Sequence, residues 1–238
     1  MARLGLRAKR WLLGIAAAVS VTAVTGSHGA DPALGPGLEA QGWQLFSHPN
    51  WDAARFSLTS DGAVRVSTDN STALIFREIA TADRNRRRLS WRWRVDETMP
   101  PTDIRVKGGD DRPLALHVWF EEDPDRTTIL TRLADGLLES LFGVPVSGNV
   151  LTYVWGGRGW RGEAQPNPHI GERSWMIVLR PGTAPTGRWF TESVDLAADF
   201  ERAFGYAPRG QRLVAIAADS EDTMTRSVAH IADIRFAD

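Results

Sequence analysis

The stretch Asp219-Ser220-Glu221-Asp222-Thr223 puts three carboxylates and two hydroxyls into five residues. These are hard oxygen donors of the kind Ca2+ takes. It is not an EF-hand loop, because Met224 and His230 stand where that loop needs Gly and Glu. A solvated acidic turn is the competing reading. A second acidic group, Asp110-Asp111, follows the turn residues Lys107-Gly108-Gly109 and precedes a strand. It could hold a cation or accept sugar hydroxyls. Neighbours in a strand point to opposite faces, so these two are not by themselves a glycosidase pair. Asp111 with Asp219, brought together by the fold, is the carboxylate pair to weigh for acid–base hydrolysis. The third set is aromatic: His117, Trp119, Tyr153 and Trp155. Rings of this kind stack on the apolar faces of sugars, so a set on an outward sheet face would make a platform. Burial under a neighbouring helix is the alternative.

Other motifs carry less. Gly157-Arg158-Gly159-Trp160-Arg161-Gly162 has dinucleotide-fingerprint spacing and follows a strand, but the fingerprint needs a helix next. Pro166 and Pro168 close that option and leave a loop. His48, His117, His169 and His230 lack metal-ligand spacing and read as local hydrogen-bonding residues. The H-E-x-x-H, Walker A and G-x-S-x-G motifs are missing.

The elements that must position these residues read as short strands. Period-2 runs rich in β-branched and aromatic residues predict strands over 43–46, 63–67, 73–78, 88–96, 114–121, 150–156, 174–180, 188–194, 213–219 and 228–236. Asp61-Gly62 predicts a hairpin turn after Phe56–Leu58. In Leu89-Ser90-Trp91-Arg92-Trp93-Arg94-Val95 strict alternation sends Trp91 and Trp93 to the core and the arginines outward. Leu116, Val118 and Phe120 share one face of their strand; His117 and Trp119 share the other. Two helices interrupt the strands. Thr127–Phe142 aligns Leu130, Leu133, Leu137 and Leu141, and Asp195–Phe204 is capped by Asp195 and stopped by Gly205. Without regular βαβ alternation a parallel sheet is not expected. The fold class is all-β and mainly antiparallel: a two-sheet, jelly-roll-like β-sandwich with two short helical insertions.

The leading segment carries Arg3, Arg7, Lys9 and Arg10 before an apolar run from Trp11 to Val24. That predicts a signal peptide over 1–30, too short for a comfortable span of roughly 20 apolar residues. A Pro/Gly-rich linker over 31–42 and one sandwich domain over 43–238 follow. The chain has no cysteine, so neither disulfides nor thiolate metal sites contribute. It holds 28 Lys+Arg against 29 Asp+Glu. Without the four leading cations this becomes 24 against 29, or about −5, the opposite of a nucleic-acid binder's surplus.

Several segments occur together in an order that resembles the bacterial domain-of-unknown-function 3047 family. They are Leu89–Val95, Lys107–Asp111, Leu151-Thr152-Tyr153-Val154-Trp155, Asn167-Pro168, Asp199–Gly205, and Asp219–Thr223 followed by Ile231-Ala232-Asp233-Ile234. The likeness covers roughly residues 43–237. The family pattern near Asp219 resembles Asp-Thr-Asp-Asn-Thr, from which Glu221 and Asp222 depart. The resemblance implies an exported β-sandwich and no particular activity. A weaker, fold-level likeness is to jelly-roll carbohydrate-binding modules.

The expected function is a periplasmic or secreted module that binds a glycan or another small polar ligand. The candidate ligand-binding residues are Asp110, Asp111, His117, Trp119, Tyr153, Trp155, Asp219, Glu221 and Asp222. No cofactor is required, and Ca2+ is the ion the acidic residues would take. Nucleic-acid partners and a stable membrane span after signal cleavage are not expected. The alternatives are a glycan-active enzyme with paired carboxylates and a structural or partner-binding envelope protein.

Overall fold

A computed structural model describes residues 32–127 and 147–238. The leading segment 1–30 and, beyond Thr127, the helix expected over Thr127–Phe142 lie outside them. Among the described residues no helix is long and apolar enough to cross a membrane.

Among the described residues twelve strands form two sheets. They are β1 (Gln44–Ser47), β2 (Arg55–Leu58), β3 (Val64–Asp69), β4 (Thr72–Glu78), β5 (Arg88–Glu97), β6 (Arg112–Phe120), β7 (Val150–Trp155), β8 (Ala164–Asn167), β9 (Gly171–Arg180), β10 (Phe190–Asp195), β11 (Gln211–Asp219) and β12 (Arg226–Ala237). The larger sheet has seven strands in the order β1-β4-β11-β6-β7-β9-β8, and the smaller has five in the order β10-β5-β12-β3-β2. The all-β reading holds. Pairing is antiparallel except between β7 and β9, which run parallel. That exception arises because β8 takes the sheet edge and pairs with β9, leaving β9 to run alongside β7.

β8 escapes sequence reading because it contains Pro166. Proline cannot donate to a ladder and is tolerated in edge strands, the position β8 occupies. The 31–42 segment also differs from a free linker. A turn of helix, α1 (Pro36–Glu39), buries Leu38 completely, and Leu34 bridges to Phe56.

The core lies between the sheets. On the smaller sheet β5 supplies Leu89, Trp91, Trp93 and Val95, in the alternation read from sequence. The larger sheet answers with Leu114, Leu116, Val118 and Phe120 of β6 and Leu151, Tyr153 and Trp155 of β7. Four of these rings form a chain across the interface. Trp91 packs 5.3 Å from both Trp93 and Tyr153, and Trp93 lies 5.6 Å from Trp155. Edge-on and tilted contacts of this kind stabilise beyond their buried area. The second helix, α2 (Leu196–Phe204), closes one end of the core, with Phe200 at 4.6 Å from Phe120. Its caps are those expected: Asp195 accepts from Ala198 N–H at 3.0 Å, and Gly205 adopts φ +78°.

Candidate functional site

The aromatic platform does not form as a surface. Tyr153 and Trp155 are fully buried in the core, a correction to their reading as ligand-binding residues. Period 2 places both on the inward face of β7 with Leu151, and the Tyr153 hydroxyl is spent on Asp199 at 2.9 Å. His117 and Trp119 do lie on the opposite face of β6, but neither offers an open ring. His117 is buried, its Nδ1 lies 2.9 Å from Thr152 Oγ1, and its ring sits 5.5 Å from half-buried Trp119. Burial, reinforced by the Arg112 charge, pushes His117 down to about 3, so it is neutral at pH 7.

The acidic residues do meet. The ladder dictates this: β11 ends at Asp219, which pairs with Arg112 at the start of β6 and with Thr72 on β4. Arg112 is buried and ties two of the carboxylates together. Its Nη2 is 2.8 Å from Asp219 Oδ2, and its Nη1 donates to Asp110 O at 2.7 Å and lies 3.3 Å from Asp110 Oδ2. Thr72 Oγ1 donates to the other Asp219 oxygen.

Two loops bring in the rest. The turn before β6 closes with Gly109 N–H donating to Val106 O at 3.1 Å, and Gly108 takes φ +76°, where a side chain would be strained. A Cβ at Gly108 would lie 3.8 Å from Asp222 Oδ1, so this turn abuts the loop after β11. That loop folds back onto Asp111. Thr223 N–H and Oγ1 donate to Asp111 Oδ2 at 2.7 and 2.6 Å. Asp110 and Asp111 therefore face different partners, as their adjacency requires. One oxygen from each of Asp111, Glu221 and Asp222 can lie within 4.8 Å of the others.

Sequence reasoning missed Arg112 and read His169 only as a local hydrogen-bonding residue, with no partner named. His169 Nε2 bonds Asp110 Oδ1 at 2.8 Å, and Asn167 Oδ1 accepts from His169 N–H at 2.8 Å to set the turn that presents it. The usable signal was Asn167-Pro168-His169-Ile170-Gly171, a turn sequence placing a histidine near its tip. The loop 157–162 is a loop as expected, and strand β8 rather than a helix follows it.

The electrostatics divide the carboxylates. Burial resists ionisation of Asp110, but the His169 hydrogen bond and the Arg112 charge hold it below the usual range. His169 is raised, chiefly by that bond. Asp219 is raised by burial that Arg112 only partly offsets. Asp222 is raised by burial and by Asp111. Glu221 is the extreme case, pushed up to about 7 by burial and then by Asp219. One of its oxygens, Oε2, is buried without a hydrogen-bond partner.

A pH dependence follows. Folded Glu221 keeps its proton up to about 7, whereas an ordinary glutamate releases it near 4.5. The native state binds more protons in that window, so stability of the metal-free protein falls as pH rises through it. With half-burial discounting the effect, it amounts to about 1–2 kcal/mol. Urea titrations at pH 5 and 8 are expected to show this loss in the wild type and a smaller one in Glu221→Gln. Equal losses would contradict it.

The chain belongs to the family described as a protein of unknown function, DUF3047, whose profile matches residues 41–235. A search of curated proteins gives no match. Among solved structures it is similar to the xyloglucanase domain of NopAA, a type three effector from Sinorhizobium fredii, in complex with cellobiose. That likeness has 10% identity and a TM-score of 0.43, covering 82% of this chain and 93% of the other. It is also similar to a cellulase derived from Rhodothermus marinus Cel12A, with 14% identity, a TM-score of 0.37, and coverage of 81% and 94%. The K2 cleaved adhesin domain of Lys-gingipain has 12% identity and a TM-score of 0.36, with coverage of 90% and 94%. At these scores none of them bears on what this chain binds.

Proposed function

We propose that this chain is a binding module of the bacterial envelope that takes a polar, hydroxyl-rich ligand and holds a Ca2+ ion at its acidic end. One observation carries the cation. Asp111, Glu221 and Asp222 bring oxygens within 4.8 Å of one another, while the nearby guanidinium of Arg112 is committed to Asp110 and Asp219. All-oxygen donors from flexible-length carboxylates suit Ca2+, and waters or ligand hydroxyls complete such shells. The positive, then apolar, leading segment supports the envelope location; cell fractionation with the segment intact and deleted tests it.

The glycosidase pair Asp111 and Asp219 is less well supported, since both carboxylates already accept from protein donors. Glu221 keeps an enzymatic reading open, because a carboxyl raised to about 7 can act as a general acid at neutral pH. The two readings demand opposite states: Ca2+ needs Glu221 ionised, acid catalysis needs it protonated.

Isothermal titration at pH 7.5 with Ca2+ is the test. The wild type is expected to bind one ion, and Asp222→Asn, an exposed position, to weaken it at least about tenfold without unfolding. No heat in the wild type, with Glu221-dependent release of reducing sugar from a glycan, would replace this reading by the enzymatic one.

A further inference from the structure

The loop between β5 and β6 and the loop between β7 and β8 enclose a cleft of about 180 Å3. Gln165 lines it, is 9% exposed, and its Nε2 is buried with no hydrogen-bond partner. A buried amide donor without an acceptor is costly, and a bound oxygen would recover that cost. At the rim stands Trp160, 68% exposed.

Trp160 is displayed on a pinned loop. Arg158 N–H donates to Thr102 O at 2.8 Å, and Gly162 N–H to Val178 O at 2.7 Å. Glu163 N–H donates to Trp160 O at 3.1 Å, and Arg158 Nε to Pro101 O at 3.0 Å. Below, Ile104 packs with Val154, Met176 and Val178. Gly157 passes over it at φ +76°, where an added Cβ would stand 3.1 Å from Ile104. The backbone that carries the ring is therefore fixed before any ligand arrives, which lowers the ordering cost of binding.

The charges lining the cleft balance. Arg105 holds Asp103 through two hydrogen bonds, at 2.7 and 2.8 Å, and Arg158 and Glu163 supply one charge of each sign. An anion or cation gains no net attraction, and a wholly apolar ligand leaves the Gln165 donor unmet. We propose that this cleft binds one neutral sugar ring of a glycan, with Trp160 stacked on its apolar face and Gln165 Nε2 donating to a hydroxyl. The proposal rests on the polar-ligand reading above but not on the cation. The loop from Pro101 serves both places, carrying Asp103 and Arg105 to the cleft and Asp110 and Asp111 to the acidic end.

The test follows the Trp160 indole and Gln165 amide resonances of 15N-labelled protein during titration. The probes are cellotetraose, maltotetraose and chitotetraose, each to about 10 mM, since single-ring sites bind in the millimolar range. Tetragalacturonate is the charged comparison. At least one neutral probe is expected to move both resonances, in EDTA as well as in Ca2+. Trp160→Ala should weaken that binding about tenfold or more with an unchanged thermal midpoint. No movement of the pair with any neutral probe, or equal binding of the charged one, overturns the proposal, as does unchanged affinity in Trp160→Ala. A protein that binds Ca2+ but moves neither resonance overturns the cleft alone. One that moves both but takes no Ca2+ overturns the cation alone.

Discussion

Replacing Arg112 with leucine is expected to destabilise the protein by about 3–5 kcal/mol at pH 7. Arg112 is 6% exposed and lies between Asp110 and Asp219. Removing it leaves Asp219, whose side chain is 16% exposed, with one hydroxyl donor, Thr72, and no opposing charge. Asp219 is already raised by burial with the guanidinium in place, so in the variant it rises further and takes a proton at mildly acid pH. The loss should therefore shrink between pH 7 and pH 5, and Asp219→Asn in the same chain should recover part of it. Urea denaturation of the three proteins reads this directly. A loss below about 1 kcal/mol, or one independent of pH, would show that the network is solvated rather than buried.

Trp155→Ala is expected to cost a similar amount, about 3–5 kcal/mol. Its ring is fully buried, 5.6 Å from Trp93 and 5.5 Å from Phe190. Its Nε1 makes no hydrogen bond, so Trp155→Phe gives up only volume and should lose far less. The folded fraction of Trp155→Ala should bind Ca2+ as the wild type does. A stable Trp155→Ala that had lost ligand binding would instead restore Trp155 to the binding surface, against its position in the core.

These two residues show what could be read from the chain and what could not. Alternation assigns Trp91 and Trp93 correctly because β5 has one fully buried and one half-buried face, each with its own residue type. On β6 and β7 the same rule loses its contrast. Both faces are buried, so an aromatic on either face looks alike in sequence. Which face of β7 holds Trp155 depends on its pairing with Leu114 of β6, a fact of register rather than composition. The acidic residues were legible as types, and Gly108-Gly109 announced their turn. Asp111 with Asp219 was the pair weighed as brought together by the fold, but the partners of each were not legible, because Asp111 and Thr223 are far apart in sequence and the β11–β6 ladder joins their loops. Arg112 went unassigned, and His169 was read as bonding only locally, for the same reason: each gains its role from a partner on another strand or loop. Trp160 lay inside a glycine-rich loop that looked unanchored, since backbone bonds such as Arg158 to Thr102 leave no trace in side-chain pattern.

The central claim is that Asp111, Glu221 and Asp222 hold a cation. A crystal structure of the protein grown with Ca2+ at pH 7.5 tests it most directly. The account predicts a peak coordinated by oxygens of all three side chains at about 2.3–2.6 Å, with waters or a ligand filling the remaining positions. A cluster with no ion between these carboxylates at saturating Ca2+, or an ion held elsewhere on the molecule, would contradict it.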